Sequence, residues 1–380
     1  MKKLFSFISM ILAVLLTAAS LVSCYDNREI DETAYVIALG TDRAEDGFLY
    51  TFQISSPLAI GGGDESGMSG GGEENSTVEN IVIGAKSFTE AKSYLNNFLS
   101  KTLNFSHLEM IVFSEEVAKE SLKSHIGFLK KEREIRPSTY VSVSRCSAEE
   151  FLKGINPALE ANTAKFYERI AKNGSLFAPH KKLGDFLDEE AEFASAVPLG
   201  VISEAKNSGD YDGESDEFRI SSSKSGFSGL VLIKNFKETG TLSAEQGALC
   251  GLLGGTRKSA EFEIPLKDRK YPVRIKAKKM PKFTAQKRES GAFSVEMKAE
   301  FEAELMLTAS EISEGDIERF LKKEICEVFF VTQKAGADIF KSGNSLRRKC
   351  KTVSAWRRLS WDKAYESALF SPDIKVEITR

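Results

Sequence analysis

From Phe293 to Leu307 the chain alternates with a period of two. Phe293, Val295, Met297, Ala299, Phe301, Ala303, Leu305 and Leu307 take the odd positions, and Glu296, Lys298, Glu300, Glu302 and Glu304 take even ones. A helix would scatter the apolar set around its circumference, whereas a strand sends all of it to one face. The stretch therefore reads as one long strand, buried on one side, that pairs antiparallel with its neighbours and carries a helix on its apolar face. The segment Asp316 to Phe340 supplies that helix, with Ile317, Phe320, Leu321, Ile325, Val328 and Phe329 as its stripe. Ser228 to Ile233, Glu261 to Pro265, Tyr271 to Ala277 and the terminal Ile374, Val376, Ile378 alternation read as further strands. Ser243-x-x-Gln246 opens a short helix that Gly254-Gly255 stops. Residues 226–380 are thus expected to form a domain of largely antiparallel sheet packed with long helices.

The other end of the chain sets its address. Lys2 and Lys3 precede an apolar run from Leu4 to Val22, closed by Leu21-Val22-Ser23-Cys24. This is the pattern of a signal peptide, residues 1–23, ending in a lipobox. The thiol of Cys24 would take a diacylglyceryl group and, after cleavage, a further acyl chain such as palmitate. Two or three acyl chains, at about 0.8 kcal/mol per buried CH2, hold a protein stably on a bilayer. An uncleaved transmembrane helix is the competing reading, disfavoured by the Cys placed directly after Leu-x-Ser and by the polar Tyr25 to Glu32. The predicted location is the non-cytoplasmic face of a membrane.

Between these ends, residues 24–202 read as an N-terminal α/β region. Ala34 to Gly40 and Phe48 to Ser55 are strands joined at Asp46-Gly47, and Val78 to Gly84, His107 to Phe113 and Thr139 to Ser144 follow as strands. Helices are expected at Thr89 to Leu99, with Ala91, Leu95, Phe98 and Leu99 inward, and at Ser114 to Lys131. A capping box at Ser147-x-x-Glu150 opens another. Pro157 to Lys172 and Leu183 to Phe193 read as helices that can pack as a subdomain over residues 151–202. Gly61 to Gly72 reads as a flexible loop, and the polar stretch Ser203 to Ser225 as the linker between domains. The fold class is α+β, a mixed α/β multidomain ectodomain; 380 residues are too many for a single ordinary core.

Little in the chain suggests catalysis. Its 3 histidines, His107, His125 and His180, form no metal-ligand spacing, and Gly67-Met68-Ser69-Gly70-Gly71 matches a nucleophile elbow without the strand and helix that would expose its Ser. Gly251 to Gly255 lacks the Lys-Ser/Thr of a phosphate loop, and paired acids such as Glu189-Glu190 read as solvated faces. Besides Cys24, Cys146, Cys250, Cys326 and Cys350 are widely spaced; disulfides stay open, while free and mostly buried thiols are the expectation. No cofactor or metal is implied, and the formal net charge of −3 points to no nucleic-acid partner. The segment Lys341 to Arg358 holds Lys341, Arg347, Arg348, Lys349, Lys351, Arg357 and Arg358 without an acid. Such a segment can draw a tethered domain onto anionic lipid. It can equally be a solvated or ion-paired structural face, which Leu346 and Trp356 beneath the charge favour.

Several stretches carry a family resemblance. Cys24-Tyr25-Asp26-Asn27-Arg28-Glu29-Ile30 followed by Tyr35 to Asp42 resembles the C-W-D-x-R-E-I and I-x-x-x-G-I-D opening of the Ger(x)C spore germination lipoproteins. His107-Leu108, Ile111 to Phe113, Glu134-Ile135-Arg136-Pro137-Ser138-Thr139-Tyr140-Val141, Ala337-Asp338-Ile339-Phe340 and Leu346-Arg347-Arg348 continue it in order. Tyr25 stands for the usual Trp, and Lys341-Ser342-Gly343 for the usual Gly-Phe-Gly. The resemblance implies a non-enzymatic C subunit of a nutrient germinant receptor, anchored through Cys24 in the spore inner membrane beside polytopic A and B subunits. The rival is a lipid-anchored solute-binding protein, which would show repeated βα units in two similar lobes.

Overall fold

The computed structural model describes residues 2–20, 32–55, 78–155, 163, 165–167, 169, 179–203, 224–306 and 312–379. Cys24, the Gly61 to Gly72 stretch and nearly all of Ser203 to Ser225 lie outside them, as does most of the helix expected at Pro157 to Lys172. The apolar leader forms α1 (Lys2–Ser20), and its described hydrophobic side chains are exposed rather than part of any core cluster. Among the described residues no helix is long and apolar enough to cross a membrane.

The first sheet begins with β1 (Thr33–Ala44) and β2 (Gly47–Ser55), an antiparallel hairpin turned at Asp46-Gly47 as expected. Gly47 sits at φ +109°, and a Cβ there would lie 2.7 Å from the Ala85 carbonyl oxygen, so the turn requires glycine. β3 (Val78–Ala85) pairs with β2, and α2 (Phe88–Phe98) follows, capped by Ser87 accepting from the Glu90 N–H. Phe88, Ala91 and Leu95 face inward; Phe98, expected with them, is the last residue of the helix and is 80% exposed. Then come β4 (Thr102–Asn104) and β5 (Met110–Ser114), the latter shorter than the expected His107 start. The single helix expected after Ser114 is two, α3 (Glu115–Glu120) and α4 (Lys123–Leu129). The break falls at Ser121-Leu122, where the Leu122 N–H donates to the Phe236 carbonyl at 2.6 Å instead of continuing the helix.

β6 (Tyr140–Ser144), α5 (Ala148–Lys153), α6 (Leu183–Glu192), β7 (Ser195–Ser203), β8 (Lys224–Lys234) and β9 (Lys237–Leu242) complete this half. Among the described residues the sheet has nine strands in the order β3-β2-β1-β5-β6-β7-β8-β9, with β4 beside β1. β1, β5, β6 and β7 are mutually parallel, so their N-terminal ends share one rim; β2 and β8 flank them antiparallel, and β3 and β9 pair antiparallel with β2 and β8 in turn. Helices cover both faces, and alternate residues feed different cores: Ile111 and Phe113 one, Met110 and Val112 the other.

The remainder comprises α7 (Ala244–Leu253), β10 (Ser259–Leu266), β11 (Arg269–Ala277), β12 (Lys282–Lys287), β13 (Phe293–Leu305), α8 (Glu314–Lys334), α9 (Asn344–Arg347), α10 (Val353–Leu359), α11 (Trp361–Glu366) and β14 (Leu369–Thr379). β13 is the alternating strand, and its Val295, Met297, Ala299, Phe301 and Ala303 are buried as the pattern requires. β11 pairs with its residues 301–305 and β12 with 293–298, so two strands share one edge, while β14 runs along the other from 294 to 304. The sheet is largely antiparallel as expected, but the β13–β14 pair is parallel, which corrects the expectation that β13 pairs antiparallel with its neighbours: α8 to α11 carry the chain back to the starting end before β14 begins. α8 lies on the apolar face, with Ile317, Leu321, Ile325, Val328 and Phe329 buried, and Ser313 with Asp316 forms its capping box. The Ser243–Gln246 capping box and the Gly254 stop of α7 stand as expected.

The expected division at Ser203 to Ser225 does not coincide with a change of sheet. β8 and β9 extend the first sheet, and β8 serves both cores: Val231 and Ile233 join the first, Leu230 and Leu232 the second. Burying each such side chain contributes about 1.5–3 kcal/mol, so β8 fastens the two halves together.

Candidate interaction surface

The best-built polar constellation among the described residues is around Asp338, just after α8. Its side chain is 4% exposed. Oδ1 accepts from the Ser342 N–H at 2.9 Å and from Ser342 Oγ at 3.0 Å, and Oδ2 accepts from the Gly343 N–H at 2.9 Å and Trp361 Nε1 at 2.8 Å. Burial raises the carboxyl above its ordinary pKa, and these four donors oppose that by stabilising the anion. The turn closes tightly enough that a Cβ on Gly343 would sit 2.4 Å from Trp361 Nε1. Lys341, where the family has its first Gly of Gly-Phe-Gly, adopts φ 53°, the region glycine enters freely.

This tie organises the basic segment and divides it in two. Ser345 Oγ accepts from the Ala285 N–H at 2.8 Å, Leu346 is buried, and Trp356 packs edge-on against Phe193 at 6.0 Å. Lys341 pairs with Glu189 at 3.3 Å and Arg347 with Glu192, so these two cations join the C-terminal half to α6. Glu189 also holds Lys181 at 2.6 Å. The Glu189-Glu190 pair, expected on a solvated face, is a structural joint. Glu190 is 8% exposed and accepts from the backbone N–H groups of Ser195 and Phe236, and burial moves its carboxyl up to about 7. Arg348, Lys349, Lys351, Arg357 and Arg358 are exposed and have no ion-pair partner among the described residues, and α10 buries none of its side chains.

Other quoted motif residues also tie elements together. Asp42, at the end of β1, accepts from the Ala148 and Glu149 N–H groups at 2.6 and 3.0 Å, capping α5 from another strand. Ser147 supplies its half of the expected box through the Glu150 N–H, while no return bond from Glu150 is found. Thr139 Oγ1 donates to the Leu108 carbonyl, Glu134 accepts from the Phe105 N–H, and Arg136 pairs with Glu109. Sequence reading missed β4, β7, β9 and β12, and it missed Asp42 and Asp338 as anchors; an acid followed four or five residues later by Ser-Gly was the available signal for the latter.

Among the described residues no reacting pair emerges. His125 is buried among Phe48, Tyr50 and Phe113, which lowers its pKa to about 4, and its Nδ1 lies 3.4 Å from the Tyr50 hydroxyl. His107 and His180 pack edge-on against Tyr35 and Tyr140. Among the described residues no group of acids, histidines and cysteines could hold a metal ion. Cys146, Cys250, Cys326 and Cys350 are free; Cys250 is buried, its thiol pushed up to about 12, and the others are half-buried. A cleft of about 210 Å³ lies between the halves, lined by Lys181, Glu189, Leu230, Cys250, Phe283 and Lys341 among others, with the Lys–Glu–Lys pairs at its rim.

The chain is thus a two-sheet α+β protein whose motifs knit elements together. Residues 26–199 match the family model described as spore germination protein N-terminal domain, and residues 228–380 the one described as spore germination B3/GerAC-like, C-terminal. The chain belongs to the Ger(x)C family of spore germination proteins. It is 22% identical to the putative spore germination protein YfkR of Bacillus subtilis (strain 168), over 93% of this chain and 91% of that protein. It is 30% identical to spore germination protein KC of the same organism, over 38% of this chain and 35% of the relative. Its fold is similar to the crystal structure of the GerBC protein, with a TM-score of 0.53 at 15% identity, covering 90% of this chain and 97% of that one.

Proposed function

We propose that the chain is a non-enzymatic, lipid-anchored subunit of a spore nutrient germinant receptor, held through Cys24 on the non-cytoplasmic face of the spore inner membrane. It acts by binding the polytopic A and B subunits. The observation that carries this reading is that both family regions match in order along the chain, with Cys24 directly after Leu21-Val22-Ser23. The solute-binding alternative fits poorly, since the two halves are a nine-stranded mixed sheet and a five-stranded sheet rather than similar lobes. Surfaces of modest affinity suffice for such a subunit, because tethering partners to one bilayer raises their effective concentration, to about the millimolar range for short linkers.

The test is genetic and biochemical. Deleting the gene abolishes the response to its nutrient, and Cys24→Ala releases the protein, or leaves it unprocessed, in detergent phase partition. Normal nutrient-triggered germination in a clean deletion without a second gene copy would sink the receptor reading. A Cys24→Ala protein that stays membrane-bound at mature mass would sink the anchor.

A further inference from the structure

We infer that the exposed part of the basic segment, Arg348, Lys349, Lys351, Arg357 and Arg358 with the apolar Val353, is a docking surface for anionic lipid headgroups, and that it holds the tethered body in one orientation on its bilayer. The inference rests on the Cys24 anchor for its geometry. Because β1, β5, β6 and β7 are parallel, the start of β1, where the chain comes from Cys24, and the start of β7 lie on the same rim of the first sheet. Three strand spacings separate them, about 15 Å. The basic segment is fastened to this rim: Arg347 pairs with Glu192 and Trp356 packs on Phe193, both immediately before β7. Nine peptide steps from Cys24 to Thr33 span at most about 30 Å. An acyl chain on Cys24 therefore keeps this rim, and the cations on it, close to the headgroups.

Charge on the rim favours lipid over water. Several acids near it are engaged, Glu109 with Arg136, Glu132 with Lys92, Glu189 with Lys181 and Lys341, and Glu192 with Arg347; Glu32, Asp185 and Asp188 are exposed outside these pairs, and Asp362 is the exposed acid nearest in sequence to the five cations. Val353 is 66% exposed at the head of α10, an apolar side chain set among cations, as in surfaces that enter the headgroup layer. Each basic residue near an anionic surface strengthens association about fivefold, so five give on the order of a thousandfold.

The experiment uses the mature acylated protein in vesicles carrying a trace of headgroup-nitroxide lipid, either in phosphatidylcholine alone or mixed with phosphatidylglycerol. Both tryptophans of the chain, Trp356 and Trp361, lie beside the surface, so their quenching reports docking. Quenching is expected on the anionic vesicles only, and is relieved near 1 M salt, where the Debye length is about 3 Å, while the protein stays on the vesicles. Arg357→Glu with Arg358→Glu lowers docking about 30-fold or more, and Arg357→Gln with Arg358→Gln, which keeps the side chains uncharged and polar, lowers it less. Equal quenching on both vesicle types, or none on the anionic ones while the protein remains bound, overturns the docking surface and points to a protein acceptor. Salt that strips the protein off the vesicles altogether overturns the anchor instead.

Discussion

Replacing Asp338 is the sharpest test of how the C-terminal surface is held. Three backbone and indole N–H groups, those of Ser342, Gly343 and Trp361, point at its carboxylate from 2.8 to 2.9 Å in a site 4% exposed. Asp338→Ala leaves all three without an acceptor, and each buried donor left unpaired costs about 1–3 kcal/mol. The Ser342 hydroxyl can rotate away and the turn can relax, so the expected loss is about 4 kcal/mol. Asp338→Asn keeps one oxygen for Gly343 and Trp361 and turns its amide to Ser342, whose hydroxyl can accept; only the Ser342 N–H is orphaned, at about 1–2 kcal/mol. Urea unfolding followed by tryptophan fluorescence reads this region alone, since Trp356 and Trp361 are the only tryptophans in the chain. The reasoning is refuted if both variants unfold within about 0.5 kcal/mol of the parent, the range of ordinary surface changes.

His125 is neutral in the fold, with its pKa lowered from 6.5 to about 4 by burial. The unfolded chain takes up its proton first as pH falls, so stability is lost between those two values, by up to roughly 3 kcal/mol. Urea midpoints followed by circular dichroism should show that slope, and His125→Leu should remove it; an unchanged slope contradicts the assignment. Gly343→Ala drives a methyl into the Trp361 ring, whose Nε1 would be 2.4 Å away, and should lower the tryptophan-detected stability by about 2 kcal/mol or more, with a neutral result showing that the ring moves freely. The proposed division of the chain at Ser203 to Ser225, argued from composition, predicts the first protease cuts there or in Gly61 to Gly72; first cuts within β13 would contradict it.

Much of this protein is local, and local features are readable. The period of two in β13, the Asp46-Gly47 turn, the Ser243–Gln246 box with its glycine stop and the stripe of α8 each depend on residues within a few positions of one another. So did the lipobox reading and the ordered motifs that named the family. What those motifs do was not readable, because each works at long range. Asp42 caps a helix more than a hundred residues away, Glu190 bonds a turn between two later strands, and Asp338 needs Trp361 to fold back onto it. A carboxylate in a string of letters looks solvated until its donors arrive from elsewhere. Lys341 shows the same limit: nothing local demands its φ of 53°, which the Asp338 turn imposes. The strands missed by reading, β4, β7, β9 and β12, are short, polar on one side or interrupted by Pro198, and become strands because a neighbour offers its hydrogen bonds. Only the tertiary structure divided the basic segment into two ion-paired cations and five without an ion-pair partner among the described residues, and only the parallel order of β1, β5, β6 and β7 put those cations on the rim where the chain arrives from Cys24. Strand direction and ion pairing are properties of neighbours in space, which sequence proximity does not encode.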